Sequence, residues 1–371
     1  MTSTNDKALK HWFDRSAARK IAQQISAGLP SFDQTKYVRI ATRNLKDLEF
    51  NARIQQFSNS LRSTLPDSIP RALKILTRSL PAALPNCETV TDGYLQWPIG
   101  QFIADHGLDH FDESMNAMIE LTKRLTSEFA VRPFVERYPE QTFQRLTSLA
   151  DDENPHVRRW CSEGVRPRLP WGKKLRALVA DPTPIFPILE KLKNDPELYV
   201  RRSVANNLND IAKDHPNKVV KTCEAWSKKS NPELDWVIKH SLRSLIKDGL
   251  PSALALIGYG APKKLSATLV AKPKKIAIGG EVQLHAELES SFSRNQDLLV
   301  DYIVHYVRQR DKTSAKVFKW TTLELPAKSD VTITKTHKMK PTSVRALYPG
   351  LHKVELQVNG VSVAQASFRL T

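Results

Sequence analysis

The chain has 371 residues, 40% hydrophobic and 26% charged, with a net charge of +17 and a pI of about 9.7. That length allows two or more cored domains, and that composition excludes wholesale disorder. The excess of cationic side chains points to a polyanionic partner, nucleic acid ahead of an acidic membrane surface.

Cys87, Cys161 and Cys223 stand far apart with no Cys-x-x-Cys, which supports neither a zinc ribbon nor a disulfide framework and suits a reducing compartment. The N-terminus is charged and lacks an apolar signal segment. No apolar run approaches the ~20 residues of a membrane span. The expectation is a cytoplasmic protein with no membrane partner.

Residues 5–30 read as a helix, with Trp12, Phe13, Ile21, Ile25 and Leu29 at roughly helical spacing. Residues 36–62 continue in kind, and helices near 70–84 and 98–107 follow between Pro-containing turns. From about residue 111 a unit repeats: a first helix, a tight Asn/Asp-Pro turn, a second helix. Pro139 opens PEQTFQRLTSLA and Asn154-Pro155 opens PHVRRWCSEG. PIFPILEKLK gives way at Asp195-Pro196 to PELYVRRSVANNLNDIA. Pro216 opens PNKVVKTCEAW and Asn231-Pro232 opens PELDWVIKHSLRSLIK. The second-helix prolines are 41 and 36 residues apart. Proline suits a first helical turn, where its missing N–H loses nothing, and Asn or Asp before it caps the free N–H groups. This period predicts an all-α HEAT-like α-solenoid.

The character changes after Gly258-Tyr259-Gly260-Ala261-Pro262. LSATLVAKP, KIAIGGEVQLHAEL, LLVDYIVHYVRQ, KVFKWTTLEL, DVTITKTHKM and HKVELQVNGVSVAQASFRL alternate in the β manner, and Gly279-Gly280 and Asn359-Gly360 mark turns. Six or seven short strands here predict an all-β immunoglobulin-like sandwich without the disulfide. The expected domains are residues 1–262 and 263–371. Net charges of +8 and +9 make the smaller one more densely cationic, so it too is expected to touch the polyanion.

The stretch from Glu153 to Trp171 gathers what a reaction beside a polyanion needs: cations, a carboxylate and a Pro/Arg-rich turn. Ser127-Glu128 in SEFAVRPF matches Ser162-Glu163 in SEGVRPRLPW, and Asp210 lies at a similar depth in the next unit, fourteen residues past its turn proline against eight for Glu163. A carboxylate near a helix C-terminus opposes the macrodipole, so its placement needs another reason. Glu128, Glu163 and Asp210 are expected to converge on the concave face. The pairs Arg158-Arg159 and Arg201-Arg202, with Arg132, Arg166, Arg168, Lys239 and Arg243, are expected to form a stripe along a phosphate backbone. Trp160, Trp226 and Trp236 are expected in the core. Trp171, in a Pro/Arg/Gly turn, is the better stacking residue. His106 and His110 beside Asp105 and Asp109 are a weak metal spacing interrupted by Gly107, so neither metal nor cofactor is expected. No phosphate loop, dinucleotide fingerprint or Ser-His-Asp order is present.

HVRRWCSEGVRPRLPW and YVRRSVANNLNDIAKDHP resemble the AlkC branch of bacterial DNA alkylation repair proteins, HEAT-like glycosylases whose other branch is AlkD. The match covers roughly residues 110–258, and the N-terminal helices by arrangement only. An immunoglobulin-like C-terminal module occurs in some AlkC-type proteins. Asn206 stands where AlkD-type proteins place a tryptophan, which implies thinner aromatic wrapping of the lesion. The resemblance implies a monomer that acts on double-stranded DNA and excises N3-alkylated bases such as 3-methyladenine and 3-methylcytosine. Such bases are cationic and already good leaving groups, so the remaining task is to stabilise an oxocarbenium-like sugar and orient a water. On that reading Glu163 is the stabiliser or water-positioning base, helped by Glu128 and Asp210, with Trp171 against the lesion or its deoxyribose. The competing expectation is a non-catalytic HEAT-repeat scaffold that binds nucleic acid or protein.

Overall fold

The computed structural model describes residues 8–85, 87, 93–229, 231–309, 312–341 and 346–371. Residues 5–7 of the first expected helix lie outside that set. A short 3-10 turn over Leu9–Trp12 precedes α1 (Arg15–Gly28), which starts where Asp14 accepts a hydrogen bond from the Ala17 N–H at 2.8 Å. The 36–62 run is two helices, α2 (Gln34–Ala41) and α3 (Phe50–Arg62), because Asn44 adopts a left-handed conformation (φ 54°) between them. α4 (Ile69–Arg78) stops short of residue 84, since Pro81 disfavours helix at the residue before it, and α5 (Trp97–His106) lies where expected.

α6 (Phe111–Thr122) and α7 (Arg132–Arg137) lead into the repeats. α8 (Pro139–Leu149) and α9 (Pro155–Glu163) begin on their prolines, and the Asn154 side chain caps α9 by accepting the His156 N–H at 2.9 Å. α10 (Arg176–Ala180) and α11 (Phe186–Leu192) follow. α12 (Leu198–Ile211) begins two residues after Pro196 rather than on it, because Asp195 closes a turn by accepting the Glu197 N–H at 2.9 Å. α13 (Pro216–Ser227) and α14 (Pro232–Ser241) open on prolines. The last expected helix breaks at Leu242 and resumes as α15 (Arg243–Lys247), followed by α16 (Pro251–Ala255). The Ser241 hydroxyl donates back to the Val237 carbonyl at 2.7 Å, a bond that competes with the helical ladder.

Helix α9 packs on α8, α11 and α12, and α12 packs on α14. Val157, Trp160 and Cys161 of α9 and Val200, Val204 and Leu208 of α12 are fully buried, so each helix hides its apolar stripe against its neighbours. None of the described helices is long and apolar enough to cross a membrane.

The β region has eight strands among the described residues: β1 (Leu265–Lys272), β2 (Lys275–Ile276), β3 (Glu281–Ser290), β4 (Gln296–Val307), β5 (Thr313–Leu325), β6 (Asp330–Lys338), β7 (Gly350–Val358) and β8 (Val361–Leu370). Two-residue β2 is too short to read from alternation, which explains the expectation of six or seven. One sheet has the order β1-β3-β6 and the other β2-β8-β7-β4-β5, the two faces of an immunoglobulin-like sandwich. Leu284, Leu298, Tyr302, Trp320, Leu356 and Phe368 fill the space between them. Asn359 and Gly360 both have positive φ (45° and 81°), as a two-residue hairpin with native strand twist requires, and join β7 to β8.

The chain divides into two compact units, Met1–Asp214 with Pro232–Ser241, and His215–Asn231 with Leu242–Thr371. Helix gives way to strand between Ala255 and Leu265. The compact division runs earlier than residue 262, because α13, α15 and α16 group with the strands. Within that unit, a Cβ on Gly360 would lie 2.3 Å from the Gly249 carbonyl oxygen and 2.7 Å from Leu254, so the helical segment presses directly on the β7–β8 turn.

Candidate active site

Three carboxylates meet in the helical unit, each delivered by a different piece of chain. Glu128 sits in the turn between α6 and α7, Glu163 closes α9, and Asp210 ends α12; their exposures are 9%, 5% and 3%. Two guanidinium groups link them. Arg159 donates through Nη1 to Glu128 Oε2 at 2.5 Å, and its Nη2 lies 3.3 Å from Glu163 Oε1. Arg166 bridges Glu163 Oε1 (2.6 Å) and Asp210 Oδ2 (2.8 Å). Lys213 reaches Asp210 Oδ1 at 3.0 Å. The Ser203 hydroxyl donates to Glu163 Oε2 at 2.6 Å, and Thr126 Oγ1 donates to Glu128 Oε2 at 3.1 Å. The Arg159 guanidinium also lies over the Tyr199 ring, 5.3 Å from its centroid.

Burying ions is costly unless each is paired and hydrogen-bonded, and the alternating order meets that condition. Burial alone pushes the Glu163 carboxyl up, but Arg159 and Arg166, with the Ser203 hydroxyl, together hold it below the usual carboxylate range. Burial likewise disfavours charge on Arg159 and Arg166, and the facing carboxylates more than reverse it. Glu163 is thus an anion with both oxygens engaged. Glu128 differs: among the described residues, nothing is hydrogen-bonded to its Oε1.

Glu128 and Glu163 form one wall of a cavity of about 240 Å³, completed by Trp97, Leu125, Thr126, Phe129, Leu169, Pro170 and Trp171. Trp97 and Phe129 stack with ring centroids 5.8 Å apart and planes 12° from parallel. Trp171 is 81% exposed and has φ of 62°, a conformation unfavourable for a bulky side chain. A wider groove of about 780 Å³, shared with Trp97, Leu125, Thr126, Phe129 and Trp171, continues past Phe50, Gln55, Gln101 and Asp105.

Asp210 joins the other two carboxylates through Arg166, both its oxygens held by cations, and does not line the cavity. One expectation needs correction. The arginines do not make an exposed stripe. Arg158 forms a two-bond pair with Asp195 and also donates to the Asp152 and Glu153 carbonyls. Arg159 and Arg166 belong to the carboxylate chain, Arg168 pairs with Asp214, and Arg201 donates to the Asp195 and Pro196 carbonyls. Arg202 and Lys239 are exposed, and Arg243 is half-buried in the second unit. Guanidinium groups with carboxylates at hand pair with them instead of facing water. Trp160 and Trp226 are buried as expected, whereas Trp236 is half-exposed and stacks on His240 at 4.7 Å.

Sequence reasoning missed Trp97, Phe129, Thr126 and Ser203. Phe129 directly follows Glu128, and Trp97 opens a helix before Pro98, but neither position announces a cavity wall. Among the described residues, no group of three or more His, Cys, Asp and Glu is placed to share a metal ion.

Comparison with known proteins agrees with this architecture. Residues 266–371 match the family described as "Uncharacterised protein YhaZ, C-terminal Ig-like domain". The protein YhaZ of Bacillus subtilis is 34% identical over 354 residues, spanning 95% of this chain and 96% of its own. The structure of Pseudomonas fluorescens alkylpurine DNA glycosylase AlkC, bound to DNA containing an abasic site analog, superposes with a TM-score of 0.87 at 36% identity, covering 98% of this chain and 99% of that one. The fold is a HEAT-like helical region followed by an immunoglobulin-like sandwich, and the chain belongs to the AlkC-type DNA alkylation repair family.

Proposed function

We propose that this protein is a DNA glycosylase that hydrolyses the N-glycosidic bond of cationic alkylated bases, 3-methyladenine and 3-methylcytosine among them, in base excision repair. The observation that carries the reading is the small aromatic cavity walled by two buried carboxylates of unequal freedom. As the C1′–N bond breaks, its electron pair moves to the base nitrogen and neutralises the base, while positive charge passes to the sugar. Glu163, held ionised by Arg159 and Arg166, is a fixed anion for that charge and costs no reorganisation when it appears. Glu128 presents the unengaged Oε1, which accepts a proton from the water that bonds to C1′. Asp210 acts through Arg166, keeping that guanidinium turned towards Glu163. Trp171 packs against the damaged nucleotide. The likeness to a DNA-bound relative supports duplex DNA as partner. Phosphate contact falls to exposed cations such as Arg202 and Lys239, and to the cationic residues 263–371.

The test is single-turnover incubation with methylated duplex. Released 3-methyladenine is expected from the native protein. Glu163→Gln should lower release about 1,000-fold with DNA affinity nearly intact. A scaffold would release nothing and would ignore Glu163 while responding to exposed cations.

A further inference from the structure

Arg132 is the first residue of α7 and only 5% exposed. A cation at a helix N-terminus opposes the macrodipole, and burial pushes the Arg132 guanidinium down to about 10, still charged at neutral pH. Among the described residues no carboxylate pairs with it. Its donors go instead to backbone. Nη1 donates to the Gly164 carbonyl at 3.1 Å and the Arg166 carbonyl at 3.0 Å, and Nε donates to the Lys173 carbonyl at 3.0 Å. Nη2 donates to Lys173 as well. One planar group therefore grips both ends of the loop between Gly164 and Lys173. That loop carries Arg166, which orients Glu163, at one end and Trp171 near the other. Gly172 lies against the clamp, since a Cβ there would be 3.4 Å from Arg132 Nε.

We propose that Arg132 is a positioning residue that sets the separation between the Trp171 ring and the Glu163 carboxylate. It touches neither. Its planar fork holds the strained φ at Trp171 in place, and so holds the open side of the cavity at a fixed distance from the anionic side. Lysine keeps the charge but has a single nitrogen, which cannot reach carbonyls at both ends of the loop. The catalytic part of this proposal rests on the glycosylase reading above; the mechanical part does not.

The experiment has two arms. In the first, free protein is treated with trypsin. Lys173 and Lys174 are exposed, yet the native loop should resist cleavage there. Arg132→Lys should speed cleavage after Lys173 or Lys174 roughly tenfold, while the rest of the chain survives as in the native protein. Rapid native cleavage at these lysines, or unchanged cleavage in the variant, overturns the clamp; the native arm decides even when the variant does not fold. In the second arm, single-turnover release by Arg132→Lys should fall about 100-fold with DNA affinity kept, as expected of a small misplacement. Adding Trp171→Ala to Arg132→Lys should cost little more, because both act on one element. Fully additive losses would overturn the positioning role. If the native protein releases no base, the glycosylase reading fails while the trypsin arm still judges the clamp.

Discussion

The helical unit and the sandwich bury different things. Among α7, α9, α12 and their turns, Glu128, Arg132, Glu163, Arg166, Asp195 and Asp210 are all nearly inaccessible. The sandwich interior is mostly aliphatic and aromatic; Asp301 and His337 are among its few buried polar groups, and the His337 Nδ1 and Nε2 lie 3.0 Å from the Tyr302 and Tyr306 hydroxyls. Apolar packing would stabilise the helical layer as well or better, because desolvating ions costs about as much as pairing returns. A layer that keeps four carboxylates and two guanidinium groups against that gradient fits the chemical use proposed for it. Among the described residues the sandwich buries a single carboxylate, Asp301, rather than an alternating chain of ions.

That contrast can be broken where it is strongest. Arg166→Met should destabilise the helical unit by about 3–5 kcal/mol, since it removes the guanidinium between two buried carboxylates and leaves Glu163 with Arg159 and Asp210 with Lys213 alone. His337→Phe, the matching change in the sandwich, should cost only about 1–2 kcal/mol. Denaturant titration of each variant compares them, and equal losses would erase the distinction. Glu128→Gln sharpens it within the site. Base release should fall about 100-fold with unchanged DNA affinity. An unchanged rate would move the base elsewhere.

Smaller effects probe the second unit. Residues 242–371 should outlast residues 263–371 by about 1–3 kcal/mol in thermal unfolding, because buried Ala253 and Leu254 and the Gly249–Gly360 contact belong to its packing. Identical stability would favour a boundary at 262. Asp301 on β4 gives the smallest signal. Burial pushes its carboxyl up to about 6, only partly offset by Lys319 and Lys247. A raised acid favours the folded state when protonated, so this contribution is present below about pH 4 and lost as pH rises through about 6. Asp301→Asn should therefore gain about 1 kcal/mol relative to native at pH 7.5 and little at pH 4, read as the difference in melting temperature. Glu163 carries the opposite sign. Its lowered pKa makes its stabilisation complete above the usual carboxylate range and lost as pH falls below it, and Glu163→Gln should flatten that acid limb.

Period, punctuation and alternation were readable along the chain because they are local. Pro139, Pro155, Pro216 and Pro232 open helices for a reason contained in one residue, and Asn359-Gly360 turns because those two residues tolerate positive φ. The three carboxylates could likewise be singled out by their neighbours in sequence. Their partners could not. Arg159–Glu128, Ser203–Glu163 and Arg166–Asp210 join residues 31, 40 and 44 positions apart, and Trp97 and Phe129 meet only when helices pack. A string of letters carries the sign of each charge, but the cost of desolvating it, and so whether an arginine faces a phosphate or an internal carboxylate, is defined only once the surrounding atoms are in place.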